Sequence, residues 1–175
     1  GDRPLRLGIV SAHLSFHPIG KMFIELIYGM ATRPELEVQP FAFLVDKECH
    51  ELGCVGTRDS ITDLLDERLG LDFKRLPRHI GIAEEAIEDA NLDVLIYGDL
   101  GMEFVTYILA HARLAPVQVA WWGHPITSGL QSIDHFFGLD WEVSKAGSEH
   151  YSEQLVRMGT MNSAPFVANP TPPIS

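Results

Sequence analysis

Apolar and polar residues alternate along the chain with two periods, one typical of strands and one typical of helices. Residues 5–12 form a short apolar run that predicts a buried strand, and residues 20–30 place their apolar side chains on one side of a helix. The two patterns then recur, with strands predicted at residues 36–45, 73–76, 93–97, 117–122 and 135–139 and helices at residues 59–69, 82–90 and 102–112. This order predicts an α/β fold with a Rossmann-like, doubly wound and mostly parallel sheet.

The regular pattern ends near Met158. Beyond it the chain becomes rich in Asn, Ser and Pro and can continue neither a helix nor an inner strand, as in Asn169-Pro170-Thr171-Pro172-Pro173. We therefore predict one domain over residues 1–160 and an interdomain linker over residues 161–175.

Composition and charge narrow the range of partners. The 175 residues are 46% hydrophobic, enough for one sizeable core, and carry a formal net charge of -11. A negative charge of this size repels phosphate backbones and anionic lipid surfaces, which argues against nucleic acid or a membrane as a partner. No apolar run approaches the ~20 residues that a membrane-spanning helix needs. We expect a cytoplasmic protein.

The two cysteines, Cys49 and Cys54, allow three interpretations. They could form a disulfide in an oxidising compartment, or bind a metal together with His50, but a convincing fourth ligand is missing. Two free thiols in a loop are the interpretation that we favour. No other group of carboxylates and histidines has the spacing of a divalent-metal site, so no metal is expected.

A loop suited to ligand binding follows the predicted strand at residues 117–122. Its two glycines, Gly123 and Gly129, let the backbone approach a ligand, while Thr127 and Ser128 can donate hydrogen bonds to it. In open α/β sheets, ligands bind beyond the carboxyl ends of the strands, where this loop lies. An ordinary turn with a helix cap would use the same residue types, so both interpretations stay open on these residues alone.

His17 lies just past the first predicted strand, in a turn fixed by Pro18. An imidazole with an ordinary pKa of ~6.5 can exchange protons near neutral pH or hydrogen-bond a hydroxyl or phosphate group. A loop histidine packed on Phe16 is the alternative, and the residues alone favour it.

Asp99 and Gly101 follow the predicted strand at residues 93–97 and are candidates for contact with an acceptor substrate. An aspartate before a helix is also a good N-cap, and we favour that interpretation for Asp99. The sequence contains no phosphate-binding P-loop, no dinucleotide-binding glycine motif and no lipase-type serine elbow. A stand-alone flavodoxin-like binding or regulatory module remains compatible with the length and the alternating elements.

Two segments resemble the protein O-linked N-acetylglucosamine transferase family, which includes SPINDLY-like proteins. One is Ala-Pro-Val-Gln-Val at residues 115–119 with Trp, Gly, Pro and Thr-Ser-Gly after it, followed by Asp134 and by His150-Tyr151-Ser152-Glu153. The other is Leu-Gly-Ile-Val-Ser at residues 7–11, followed by His17-Pro18. Together these segments cover most of residues 5–160 in the family's order and spacing.

The resemblance implies the N-terminal lobe of a two-lobed glycosyltransferase of the GT-B type. It implies inverting transfer of N-acetylglucosamine from UDP-N-acetylglucosamine to serine or threonine of a polypeptide, without a metal or a tightly bound cofactor. The UDP-sugar would be held mainly by a missing C-terminal lobe, so the isolated fragment should be inactive. The resemblance also implies a cytoplasmic location, or a nucleocytoplasmic one in a eukaryote.

The resemblance also implies roles for particular residues. It makes His17 a catalytic residue of the cleft and directs one loop toward the donor's diphosphate and sugar, through Gly123, His124, Pro125, Thr127, Ser128 and Gly129. His124 stands where these enzymes usually have tyrosine, and Ile126 where they usually have glycine. A Gly-His-Pro sequence is more similar to bacterial cytoplasmic N-glycosyltransferases, which glucosylate asparagine, so acceptor and sugar stay open.

Overall fold

A computed structural model describes residues 3–50, 53–54, 56–140 and 147–159. Its helices are α1 (Pro18–Ala31), α2 (Ser60–Leu69), α3 (Ile80–Glu88) and α4 (Phe104–Leu109). Its strands are β1 (Leu5–Ser11), β2 (Val38–Val45), β3 (Cys49–His50), β4 (Gly53–Cys54), β5 (Phe73–Leu76), β6 (Val94–Tyr97), β7 (Val117–Ala120), β8 (His135–Gly138) and β9 (Gln154–Arg157). Short 3₁₀ turns occupy Pro34–Leu36, Gly70–Asp72 and Gly147–His150.

Seven strands form one sheet in the order β5-β2-β1-β6-β7-β8-β9, and every neighbouring pair is parallel. The chain builds outward from β1 to one edge, returns to β6 beside β1, and then builds toward the other edge. The direction therefore reverses between β1 and β6. In sheets of this kind that switch point opens a crevice at the carboxyl ends of the strands.

Helices cover both faces of the sheet. Alternate residues of β1 belong to different cores, with Val10 in one cluster and Ile9 in the other. The first cluster contains Ile87 of α3 and Leu109 of α4, and the second contains Phe23 of α1 and other residues of α1 and α2. Burial on both faces explains why these strands are nearly continuous apolar runs. The predicted Rossmann-like doubly wound α/β fold is confirmed.

Two elements differ from the prediction, helix α4 and strand β9. Helix α4 begins at Phe104 rather than at residue 102, because Glu103 caps it by accepting hydrogen bonds from the backbone N–H of Val105 at 2.6 Å and of Thr106 at 3.3 Å, and it ends at Leu109. The preference for Asp99 as the cap is wrong, since its carboxylate accepts hydrogen bonds from the end of β1 instead. The edge strand β9 was not predicted.

The interpretation of the cysteines is also corrected. Strands β3 and β4 pair antiparallel with Cys49 opposite Cys54, and Cys49 is disulfide-bonded rather than a free thiol. No helix within the described ranges has both the length and the apolar character to cross a membrane. The predicted linker at residues 161–175 lies outside the described residues.

Candidate functional site

The first part of the site is a buried carboxylate at the switch point between β1 and β6. Asp99 follows β6, is only 1% exposed, and accepts hydrogen bonds on one oxygen, Oδ2, from the Ser11 hydroxyl at 2.9 Å and the Ala12 backbone N–H at 2.8 Å. Its other oxygen, Oδ1, is buried and has no hydrogen-bond partner in the part of the chain that the structure describes. Asp99 therefore joins the ends of two adjacent strands.

Two histidines extend this network. His13 Nδ1 lies 2.9 Å from Asp99 Oδ2, and the centroid of its ring lies 4.5 Å from that of His17. The hydrogen bond to Asp99 is the main cause that raises the pKa of His13 above its ordinary value. Burial and the neighbouring His13 both lower the pKa of His17.

His17 also begins a helix. It is the N-cap of α1, and its Nδ1 atom accepts a hydrogen bond from the Ile19 backbone N–H at 3.2 Å. The alternative of a histidine packed on Phe16 is not what the structure shows, since Phe16 is 59% exposed with its ring under the Lys21 ammonium group, and the His17 ring lies against His13.

The second part of the site is a pocket of about 210 Å³ beyond the ends of β6 and β7. Its lining includes four of the predicted site residues, Gly101, His124, Thr127 and Ser128. Gly101 has a positive φ of 86°, and a Cβ built there would lie 2.8 Å from His124 Cδ2. Because residue 101 has no side chain, the His124 ring can occupy its observed position.

A second buried carboxylate holds the loop on this pocket. Glu153, 5% exposed, accepts hydrogen bonds from the Thr127 hydroxyl at 2.7 Å, from the Ser128 backbone N–H at 2.8 Å and from the Ser128 hydroxyl. Burial raises the pKa of Glu153, but the hydrogen bonds from Ser128 and Thr127 outweigh it, so the pKa lies below its ordinary value. Tyr151 adds a hydrogen bond to the Pro125 carbonyl oxygen at 2.9 Å.

The predicted site residues thus fall into two groups. Asp99 and His17 flank His13, whereas the pocket is lined by Gly101 from the loop after β6 and by His124, Thr127 and Ser128 from the loop after β7. Gly123 and Gly129 do not line the pocket, although each has a positive φ and open space where a side chain would stand. Donor binding by these loop residues, acceptor binding by Asp99 and Gly101, and catalysis by His17 stay predictions.

Sequence reasoning did not single out His13 or Glu153 as site residues. His13 stands two residues past the end of β1, a position that faces the same crevice as His17 in this fold. Glu153 belongs to a segment that carried the family resemblance without an assigned chemistry. Within the described ranges, no group of three or more His, Cys, Asp or Glu side chains could hold a metal ion.

The chain was compared with known proteins. No family model matches it. A curated UDP-N-acetylglucosamine–peptide N-acetylglucosaminyltransferase of Caenorhabditis elegans is 28% identical over 131 residues, which cover 75% of this chain and 10% of that protein. Among solved structures, a mutant O-GlcNAc transferase of Thermobaculum terrenum superposes with a TM-score of 0.67 and 24% identity, over 89% of this chain and 28% of that one.

The chain is therefore similar to glycosyltransferases in both sequence and fold. The resemblance to O-GlcNAc transferases is confirmed by a curated relative and by a solved structure, both at low identity. The chain spans about a tenth of the length of the curated relative, and just over a quarter of the solved chain.

Proposed function

We propose that this chain is the Rossmann-like lobe of an inverting protein glycosyltransferase that transfers N-acetylglucosamine from UDP-N-acetylglucosamine to serine or threonine of a polypeptide. One observation carries the proposal. A histidine pair on a buried carboxylate and a pocket with a rigidly held loop share the crevice edge of a sheet whose fold matches an O-GlcNAc transferase. Ligand sites of open α/β sheets lie at this edge.

The two parts of the site suit two parts of the reaction. The pocket beside His124 has room for a sugar-sized group, and the loop that Glu153 fixes can present backbone N–H groups to a leaving diphosphate. His17, at the same edge of the sheet, can hydrogen-bond the hydroxyl of the acceptor or a phosphate oxygen. Holding these groups in place before the reaction lowers the barrier without reorganisation during it.

The Glu153 contacts change the role expected of Thr127 and Ser128. Both hydroxyls already donate to the Glu153 carboxylate, so in this arrangement they do not donate to a donor sugar. We propose that they shape the loop, and that direct contacts come from His124 and the loop backbone. A second, C-terminal lobe of the full-length enzyme would then hold most of the UDP moiety.

Assay of the full-length native protein tests this function. UDP-N-acetylglucosamine and UDP-glucose are each offered with a mixed peptide library, and the products are read by mass spectrometry for wild type and His17→Ala. We expect N-acetylglucosamine on serine or threonine, and a loss of about 100-fold or more in the variant. His111→Ala is the control, because His111 is an exposed histidine outside both parts of the site.

Other products would change the proposal in defined ways. Hexose on asparagine would show that the sugar and acceptor proposed here are wrong and that the enzyme is an N-glycosyltransferase, which the Gly-His-Pro sequence around His124 would then explain. No transfer from either donor would overturn the proposed function.

A further inference from the structure

His13 lies between Asp99 and His17 and contacts both of them. We propose that His13 is a positioning residue: oriented by Asp99, it holds His17 as a neutral imidazole with its proton on Nε2, ready to donate a hydrogen bond to a substrate oxygen. The part that concerns substrate rests on the proposed function, whereas the state of the His17 ring does not.

The proton position on His17 follows from its hydrogen bond. Its Nδ1 atom accepts the Ile19 N–H, so Nδ1 carries no proton. A neutral imidazole has one N–H, which must then be on Nε2. Such a ring can donate from Nε2 but cannot take a proton there, which excludes it as the base that deprotonates an acceptor through that atom.

Two features oppose a second proton on His17. Protonation at Nδ1 would break the cap hydrogen bond and would place positive charge at the N-terminus of α1, where the helix dipole is also positive. The second feature is His13, whose ring lies 4.5 Å away between centroids and whose Nδ1 lies 2.9 Å from the Asp99 carboxylate. Asp99 favours the charged form of His13, and charge on His13 disfavours charge on His17.

The charged groups around the two histidines also favour a charged His13 and a neutral His17. Asp99 also attracts a proton toward His17, but burial of His17 and repulsion by His13 outweigh that attraction. Glu103, the cap of α4, acts on His13 in the same direction as Asp99. Lys21, one turn into α1, directs its ammonium group at the Phe16 ring. The carboxylates therefore stabilise charge on His13, and His17 remains the neutral member of the pair.

Nuclear magnetic resonance on the 175-residue chain tests the pair without any assay of transfer. Long-range proton–nitrogen correlation of ring-labelled histidine reports which nitrogen of His17 carries the proton. We expect the Nε2–H form near neutral pH, and a His17 pKa below that of His13. A proton on Nδ1 of His17 would overturn the proposal, and this measurement needs no variant.

His13→Asn tests the coupling. Asparagine keeps an N–H donor for Asp99 at the place of the imidazole Nδ1 and removes the charge, so we expect the pKa of His17 to rise. In His111→Asn, which removes an exposed histidine at the end of α4, the His17 titration should stay as in wild type. A His17 titration that is the same in His13→Asn as in wild type would overturn the proposal.

The full-length enzyme tests the role in transfer. His13→Asn should lower kcat by about tenfold with little change in KM for the UDP-sugar, and should move the acid limb of the pH profile to higher pH. A wild-type pH profile in the variant would overturn the positioning role. A protein without any transferase activity would overturn the proposed function alone, since the magnetic resonance results would still decide the state of His17.

Discussion

At the scale of single residues, the candidate pocket depends on Gly101, a residue without a side chain. Gly101 has a φ of 86° and faces the His124 ring. We expect Gly101→Ala to lower the free energy of unfolding by about 1–3 kcal/mol, because the left-handed backbone is strained for alanine and the new methyl group displaces His124. Urea unfolding at neutral pH measures the change.

Gly29 provides the matched control. It lies inside α1, where a Cβ would have nothing within 4 Å, so Gly29→Ala should instead stabilise the chain by about 0.5–1 kcal/mol. Equal effects of the two substitutions would show that the conformation of Gly101 carries no special cost.

The contact between His13 and Asp99 could not be predicted from the sequence. The sequence predicts that His17 and Asp99 follow strands, and so lie at one edge of the sheet. It does not show that β1 and β6 are adjacent, which is what brings Asp99 to Ser11, Ala12 and His13. Strand order depends on long-range packing, so the partner of a buried carboxylate cannot be inferred from local spacing.

At the scale of elements, the loop at residues 123–129 is held by a residue that lies far along the chain. Glu153 precedes β9 directly, and its carboxylate fixes Thr127 and Ser128. We expect Glu153→Gln to lower the free energy of unfolding by about 2 kcal/mol, because an amide NH₂ cannot accept the hydrogen bonds that one carboxylate oxygen accepts. On the function proposed above, the same substitution in the full-length protein should also raise KM for the UDP-sugar.

Urea unfolding and initial-rate kinetics check this prediction, with Glu149→Gln as the control. Glu149 is an exposed residue of the 3₁₀ turn at Gly147–His150, and its substitution should change stability by no more than about 0.5 kcal/mol. If both glutamates tolerate the change equally, the carboxylate does not hold the loop.

A short strand can be predicted where apolar residues mark its ends. Strand β5 has its predicted bounds, Phe73–Leu76, because both end residues are apolar, and both are buried. Strand β9 is a four-residue edge strand, Gln154–Arg157, with exposed ends, so its sequence lacks the hydrophobic run that identified the inner strands. Its pairing with β8 nevertheless brings Glu153 to the loop.

At the scale of the whole molecule, carboxylates tie distant parts of the chain together at both ends of the sheet. Asp93, before β6, accepts two hydrogen bonds from the Arg3 guanidinium at 2.7 and 2.8 Å and one from the Arg6 backbone N–H at 2.9 Å. These bonds, the one from the Arg3 side chain first, lower the pKa of Asp93 to about 2. Hydrogen bonds from the Arg75 side chain likewise hold the pKa of Asp66 below its ordinary value.

The acid stability of the chain follows from these lowered pKa values. A carboxyl group whose pKa is lower in the folded state binds a proton more readily when unfolded, so it contributes stability above its unfolded pKa of ~3.9, and that contribution is lost as pH falls. For Asp93 the loss is complete only as pH passes through about 2. We therefore expect the free energy of unfolding to decrease steadily below about pH 4.

Asp93→Asn isolates one part of that decrease. The variant should be less stable than wild type at pH 7, and the difference should shrink as pH falls toward 2, since protonated wild type and variant then lack the same charge. Urea unfolding at several pH values and two salt concentrations measures it, and added salt should reduce the difference because the Arg3 pair is exposed. A difference that is constant with pH would mean that the variant loses packing rather than the ionised pair.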